Sequence, residues 1–431
     1  MKVPFRTIRS LLPVLGVVFV VTCLIAPPFA TAGQKIVLDF PSWQWGQPGY
    51  DDFFKEVMAA FVKAHPDVEF RPIPIPIEKY ADQLIVRFSS GNPPEIMQWS
   101  LFDYHTFAKA GWLVPLDEKL RATDILKTWN KSFLNFTNVD GVQYGVMLSG
   151  SSQMLFTNQA MFKKAGVSIP KTPEELVEAA KKLTVRDASG RVTQYGLSMT
   201  SVAAPELWSY GLARWVTGLG GGITNEKGIP TATSPEVRRS VQMMKDLLQA
   251  GAIPPGLGRI PSRQAFWEGK GAMLIEGPWV MESIKSQNPS LLPSVQLAPV
   301  PFPHQIADAS NGLALAKGQK HPDLAWEFLV MATSPQWMQR YGELTGVIPG
   351  RNDSISTKAL AEKPWLKAFG QVAVTGRPQT PAGMEAAQNQ VYKAIADRLS
   401  PYLFENENLD TALAALQKDL EGIAKAMPKG K

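Results

Sequence analysis

Residues 269–279 read Gly269-Lys270-Gly271-Ala272-Met273-Leu274-Ile275-Glu276-Gly277-Pro278-Trp279. Met273, Leu274 and Ile275 form a short apolar run between glycines, the pattern of a buried strand. Pro278 ends it, because proline has no N–H to donate to a neighbouring strand. At the stop stand a carboxylate, a bare backbone and an indole: Glu276, Gly277 and Trp279. In open α/β sheets ligands bind outside strand ends, so these three are candidate ligand contacts. Taken by itself, the stretch also reads as a strand, a turn and a core tryptophan.

Towards the N-terminus, strands and helices alternate. Lys35 to Phe40 reads as a strand, followed by a turn-rich loop with Trp43, Gln44 and Trp45. Tyr50, Phe53, Phe54, Val57, Met58, Phe61 and Val62 then recur at helical spacing. Val68 to Ile77 is extended, and Pro72, Pro74 and Pro76 mark it as an edge. A helix over Tyr80–Ser89 and a strand over Glu95–Trp99 continue the alternation, which predicts a mostly parallel sheet with helices on both faces. Gly150-Ser151-Ser152-Gln153 is a small polar link between two strand-like runs, suited to a crossing between domains. Thr172-Pro173-Glu174-Glu175 and Ser234-Pro235-Glu236 carry helix-start chemistry: a hydroxyl cap, then proline in the first turn. Gln388 to Ala426 is helical in pattern, with a break at Ser400-Pro401.

The chain has 431 residues with 45% hydrophobic content, enough for two or three domains. Lys2, Arg6 and Arg9 precede an apolar run from Leu11 to Ile25, and Ala30-Thr31-Ala32 forms a small-x-small site. This pattern predicts a signal peptide over residues 1–32 and export to a bacterial periplasm. The one cysteine, Cys23, lies inside it. Thr22 and Val20 suit a lipidation site poorly, so cleavage after Ala32 and a soluble, cysteine-free product are expected. That product has no disulfide, thiolate metal site or cysteine nucleophile. Loss of the leader lowers the net charge from +6 to about +3, too little to attract a nucleic acid.

Known catalytic spacings are missing. His65, His105, His304 and His321 form no HExxH or other metal pattern. There is no GxSxG elbow, Walker loop or GxGxxG after the first strand. Asp103 and Glu276 could serve as a glycosidase pair, but that chemistry needs a set carboxyl separation, which sequence does not give.

Several stretches, taken in order, resemble the extracellular solute-binding proteins of bacterial ABC importers, family 1, the maltose/maltodextrin-binding type. They are Ser89-Ser90-Gly91-Asn92-Pro93-Pro94-Glu95-Ile96, Gly111-Trp112-Leu113-Val114-Pro115-Leu116, Leu155 to Val167, Lys171 to Leu176, and Gly269 to Met273 with Gly277-Pro278-Trp279. Glu95 stands where the family usually has Asp, and Pro173 where it usually has Trp. The resemblance implies an α/β, two-lobed periplasmic binding protein fold, type II-like, with a ligand cleft between lobes joined by a hinge of several crossings. It places the N-terminal lobe at 33–144 and 303–344, and the C-terminal lobe at 145–302 and 345–431. It further implies a monomeric, non-enzymatic receptor without a cofactor, which binds a carbohydrate and delivers it to the transmembrane subunits of an ABC permease.

A sugar offers apolar faces to aromatic rings and hydroxyl edges to carboxylates, amides and arginines. By the resemblance, Trp279 and Trp99 align with positions that stack on sugar. Trp43 and Trp45 lie in the loop that reaches the cleft, and Trp208 and Tyr210 near a contact segment. Ser151 and Ser152 fall where maltodextrin binders carry a carboxylate. Gln44, Asp103, Glu276 and Asn311 are the candidates for the hydroxyl edge, with Gly277 beside them and Arg351 after the last hinge crossing. The departures point away from maltodextrin itself. The same fold could instead take glycerol phosphate, a polyol or a polyamine; a ferric site would want clustered tyrosines, and there are only nine tyrosines in all.

Overall fold

The computed structural model describes residues 35–427 apart from 101, 102 and 226. The expected signal peptide over 1–32, Cys23 included, lies outside the described residues. The main strands are β1 (Ile36–Ser42), β2 (Val68–Pro74), β3 (Met97–Ser100), β4 (Gly145–Ser152), β5 (Met154–Asn158), β6 (Val185–Arg186), β7 (Val192–Ser198), β8 (Gly271–Glu276), β9 (Val295–Ala298) and β10 (Ala307–Ala314). β1 and β2 pair in parallel. A three-stranded sheet has the order β3-β10-β4, and a five-stranded sheet the order β9-β5-β8-β7-β6.

The expectation of a mostly parallel sheet is corrected here. Only β1–β2 and β7–β8 are parallel pairs; the other named pairs run antiparallel. The reason is a long-range insertion. β10 enters between β3 and β4 from far along the chain and runs against both. Alternation of elements fixes neither the direction nor the neighbour of a strand that arrives so late. Within the 269–279 stretch, Gly271–Glu276 forms β8, which is wholly buried. It lies between β5 and β7, so both its edges are paired, and Met273 and Ile275 enter one core while Leu274 enters another, so both faces are buried, as a continuous apolar run requires.

Helix α1 (Tyr50–Ala64) buries Tyr50, Phe53, Phe54, Val57, Met58 and Phe61, the face its spacing predicts. Each of these large side chains contributes about 1.5–3 kcal/mol when fully buried. Gly49 starts the helix at φ 80°, and its N–H donates to Asp52 Oδ2. A Cβ there would lie 2.4 Å from the Leu344 carbonyl oxygen, so only glycine fits. Helix α2 runs Ile77–Ser89, a turn earlier than Tyr80, because Pro76 sits at its N-cap with a fixed φ. The remaining helices that matter for the site are α3 (Ala213–Gly218), α4 (Arg259–Trp267), α5 (Trp279–Gln287), α6 (Gln388–Phe404) and α7 (Leu409–Ala426). The C-terminal break falls between α6 and α7, after Pro401 and not at it. Proline is absorbed inside α6, and its carbonyl still accepts the Glu405 N–H.

Two large cores form. One gathers residues 38–148 with 313–347, including an edge-to-face cluster of Phe40, Phe54, Phe61 and Phe328. The other packs the five-stranded sheet against residues 207–253 and the C-terminal helices. The backbone passes from the three-stranded to the five-stranded sheet at Gln153, between β4 and β5. No helix among the described residues is long and apolar enough to cross a membrane.

Candidate functional site

An inner chamber of about 70 Å³ opens where elements of the two cores meet. Trp43, Gln44, Gln47, Tyr50, Ile77 and Ser100 line one side. Gln153, Ser209, Tyr210, Arg214, Arg259 and Trp279 line the other, with Ser310, Gln379 and Tyr392. It shares Ile77, Ser100, Ser209, Tyr210 and Tyr392 with an outer groove of about 650 Å³. A groove of that size is in the range of small-molecule sites.

Local winding explains how the far wall is presented. Leu207–Leu212 is a π-helical segment that runs directly into α3. Such wide turns are frequent at functional sites, and this one carries Ser209 and Tyr210 to the chamber. Arg214 follows in α3. Trp279 is the first residue of α5, just past Pro278. A Cβ on Gly277 would lie 2.2 Å from Trp279 Cη2, so the indole folds back over a residue that has no side chain. The Arg263 guanidinium sits over the same ring, 5.4 Å from its centroid.

Glu276 ends β8 behind this wall, 2% exposed. Its Oε1 accepts from Arg263 Nε at 2.8 Å and Arg214 Nη2 at 3.1 Å, and its Oε2 from the Gly277 N–H at 2.9 Å. Burial pushes its pKa up, but Arg214, Arg263 and Arg259 together outweigh burial and hold it at about 2. Glu276 therefore organises arginines instead of offering a free oxygen. Gln44 and Asn311 belong to a buried polar ladder. Gln98 donates to Gln44 Oε1 and to Asn311 Oδ1, and accepts from Ser42 Oγ. Asn311 in turn donates to Ser149 Oγ at 3.3 Å. Gln44 also faces the chamber; Asn311 is not in its lining.

Asp103 lines the outer groove. It accepts from the Ser100 N–H at 3.0 Å and Ser100 Oγ at 2.8 Å. Burial raises its pKa from 3.8 to about 7, against those two hydrogen bonds. Between pH 4 and 7 the folded chain thus keeps a proton that the unfolded chain has lost. Stability falls as pH rises through that window, by on the order of 4 kcal/mol at about 1.4 kcal/mol per unit. Asp103→Asn removes this slope. Urea unfolding at pH 4.5, 5.5, 6.5 and 7.5 measures it, and equal slopes for both chains would rule the assignment out.

The other sequence candidates lie elsewhere. Trp99 is fully enclosed, packed on Tyr104 at 4.4 Å and Phe136 at 5.8 Å. Trp208 is buried in the core of the five-stranded sheet. Trp45 donates its indole N–H to the Phe40 carbonyl and packs on Phe40 and Phe54. Arg351 pairs with Asp124 and Asp353 and lies over Trp129. None of these four lines the chamber or the groove. Ser151 pairs through β4 with Asp308 of β10; its side chain lies outside the described residues. Ser152 is buried and donates to the Phe369 carbonyl. Sequence reading missed the arginines 214, 259 and 263. One signal was present: Arg214 is a lone charge within Leu212-Ala213-Arg214-Trp215-Val216, and buried charges need partners. No cluster of metal-ligating side chains occurs among the described residues.

Comparison with known proteins covers most of the chain. A family model described as bacterial extracellular solute-binding protein matches residues 46–339. The maltotriose-binding protein of Pyrococcus abyssi is 23% identical over 344 residues, spanning 76% of this chain and 70% of that protein. The diacetylchitobiose-binding protein DasA of Streptomyces coelicolor is 24% identical over 282 residues, 62% of this chain and 63% of that protein. Among solved structures, the GacH receptor of Streptomyces glaucescens, determined unliganded and with acarbose, superposes with a TM-score of 0.79 at 21% identity, covering 91% of this chain and 100% of that one. The two-lobed α/β fold expected from the sequence agrees with that likeness.

Proposed function

The chain belongs to the bacterial extracellular solute-binding protein family, and on that premise we propose that it is the receptor of an ABC importer, capturing a carbohydrate in its inter-lobe cleft and handing it to the membrane permease. The chamber itself carries this reading. The indoles of Trp43 and Trp279 and the phenols of Tyr50, Tyr210 and Tyr392 offer flat apolar faces. Gln44, Gln47, Gln153 and Gln379 supply amide edges between them. Aromatic faces with amide edges match the two surfaces of a pyranose. The names of the relatives, a maltotriose binder and a diacetylchitobiose binder, support the same solute class.

The lobes are taken as 33–144 with 303–344, and 145–302 with 345–431. The separate cores favour two lobes; β4 pairs and packs with the first of them, which favours a first crossing at Gln153 over one after residue 144. Closure of one lobe on the other would be a hinge motion; periplasmic binding proteins are the standard example of it. The protein works in the periplasm as a monomer once residues 1–32 are removed. It is not an enzyme. Of the candidate pair Asp103 and Glu276, only Asp103 lines the cleft; Glu276 lines neither cavity, and its oxygens are taken by Arg214, Arg263 and the Gly277 N–H.

Thermal unfolding of residues 33–431 against mono-, di- and trisaccharides, polyols and phosphate esters tests the reading. A ligand at 100 times its Kd should add about 2.7 kcal/mol. A rise with one carbohydrate class is the expected result. No rise with any carbohydrate, neutral or acidic, removes the sugar assignment.

A further inference from the structure

The charge on the chamber wall is unbalanced. No carboxylate lines it; its only charged residues, among those described, are Arg214 and Arg259. Arg263 stands behind them. Three guanidinium groups thus surround one carboxylate, Glu276, and among the described residues that carboxylate forms ion pairs with two of them, Arg214 and Arg263. Arg259 forms no ion pair among the described residues. Its guanidinium lies over the Tyr210 ring, 4.5 Å from the centroid, and its Nε is buried without an acceptor. Glu206 does reach Arg259, but at the main chain: its Oε2 accepts the Arg259 backbone N–H at 2.9 Å.

The cationic surplus is felt within the cluster. Burial, and next Arg259, lower the Arg263 pKa to about 10 despite Glu276. Clustered buried charge of one sign is costly unless an opposite charge arrives. The outer groove has the reverse character, with Glu78, Asp82, Asp103, Glu206 and Asp397 against Lys79 and Lys393. The acidic groove repels an anion, so within this cleft an anionic group is held at the inner wall and not in the groove. A guanidinium forks two N–H groups toward one carboxylate or phosphate, and stacking on Tyr210 holds that of Arg259 in place.

We propose that the chamber selects an acidic carbohydrate, one carrying a carboxylate or a phosphate ester, whose anionic group docks on Arg259 and Arg214. The proposal rests on the reading of this cleft as the solute site and narrows the solute. It does not depend on which acid is carried, because both present paired oxygens to the fork.

Isothermal titration calorimetry on residues 33–431 tests it. Glucuronate and galacturonate are compared with glucose and galactose, glucose 6-phosphate and glycerol 3-phosphate with glucose and glycerol, and inorganic phosphate is titrated alone. One acid should bind at least tenfold tighter than its neutral parent, and the arm that responds tells carboxylate from phosphate. Its affinity should fall several-fold between 50 and 500 mM NaCl, as screening of charge requires. Arg259→Gln should cut the advantage of the acid over its parent at least tenfold, and Arg259→Lys should keep part of it. A neutral parent that binds as tightly as its acid overturns the proposal and leaves the sugar-receptor reading standing. An advantage that survives Arg259→Gln, or no binding of any acid, overturns it as well.

Discussion

Glu276→Ala lowers the unfolding free energy by about 3–5 kcal/mol, the range for breaking a buried ion pair by removing one partner. The carboxylate is 2% exposed and is the counter-ion shared by Arg214 and Arg263, each itself 8% exposed or less at the side chain. Without it, two buried guanidinium groups lose their partner and the Gly277 N–H loses its acceptor. Glu276→Gln keeps the shape and one acceptor but not the charge, so it falls in the lower half of that range. The pH dependence has a definite sign. The folded pKa is about 2, below the 4.5 of an ordinary glutamate. Its stabilisation is therefore complete above pH 4.5 and is lost as pH falls through 2. Urea unfolding at pH 7 and at pH 3 measures both effects. A loss under 1 kcal/mol for Glu276→Ala at pH 7 would mean that water already compensates the arginines, and the account of the wall would fail.

What could be read from the sequence was local. The α1 face was legible because Phe53, Phe54, Val57 and Phe61 recur within one helix, where spacing alone sets the direction of each side chain. The end of β8 was legible because Pro278 acts on its own backbone. Strand directions were not, since β10 joins β3 and β4 across a long loop whose closure leaves no local mark. The same limit explains the site. Glu276 stood out as an acid at a strand end, but its partner Arg214 lies 62 residues away. Pairing turned it from a proposed ligand contact into the anchor of an arginine cluster. The polar ladder through Gln98 is a similar case: Gln44 and Asn311 looked alike as amides near strand ends, yet only Gln44 also lines the chamber.

Two tryptophans separate these roles most sharply, and Trp99→Ala and Trp279→Ala have opposite expected signatures. Both indoles stand at strand ends, and nothing local tells them apart. The difference is two glycines distant in sequence. A Cβ on Gly145 would lie 2.8 Å from Trp99 Nε1, and one on Gly312 would lie 2.3 Å from Trp99 Cζ2. β4 and β10 thus bring bare backbone against the ring, which has no exposed surface. Trp99→Ala empties a closed space in the core and costs about 3–5 kcal/mol, with the Kd for solute changed less than about threefold. Trp279 is partly exposed, lines the chamber and lies under Arg263. Its loss costs less stability than that of Trp99 but raises the Kd at least tenfold, because a stacking face leaves the site, at about 1.4 kcal/mol per decade. Unfolding curves and calorimetric titrations on both variants, side by side, decide the matter. If Trp99→Ala weakened binding as much as Trp279→Ala did while the fold held, the enclosed indole would have to reach solute in a more open form of the cleft, and its assignment to the core would be withdrawn.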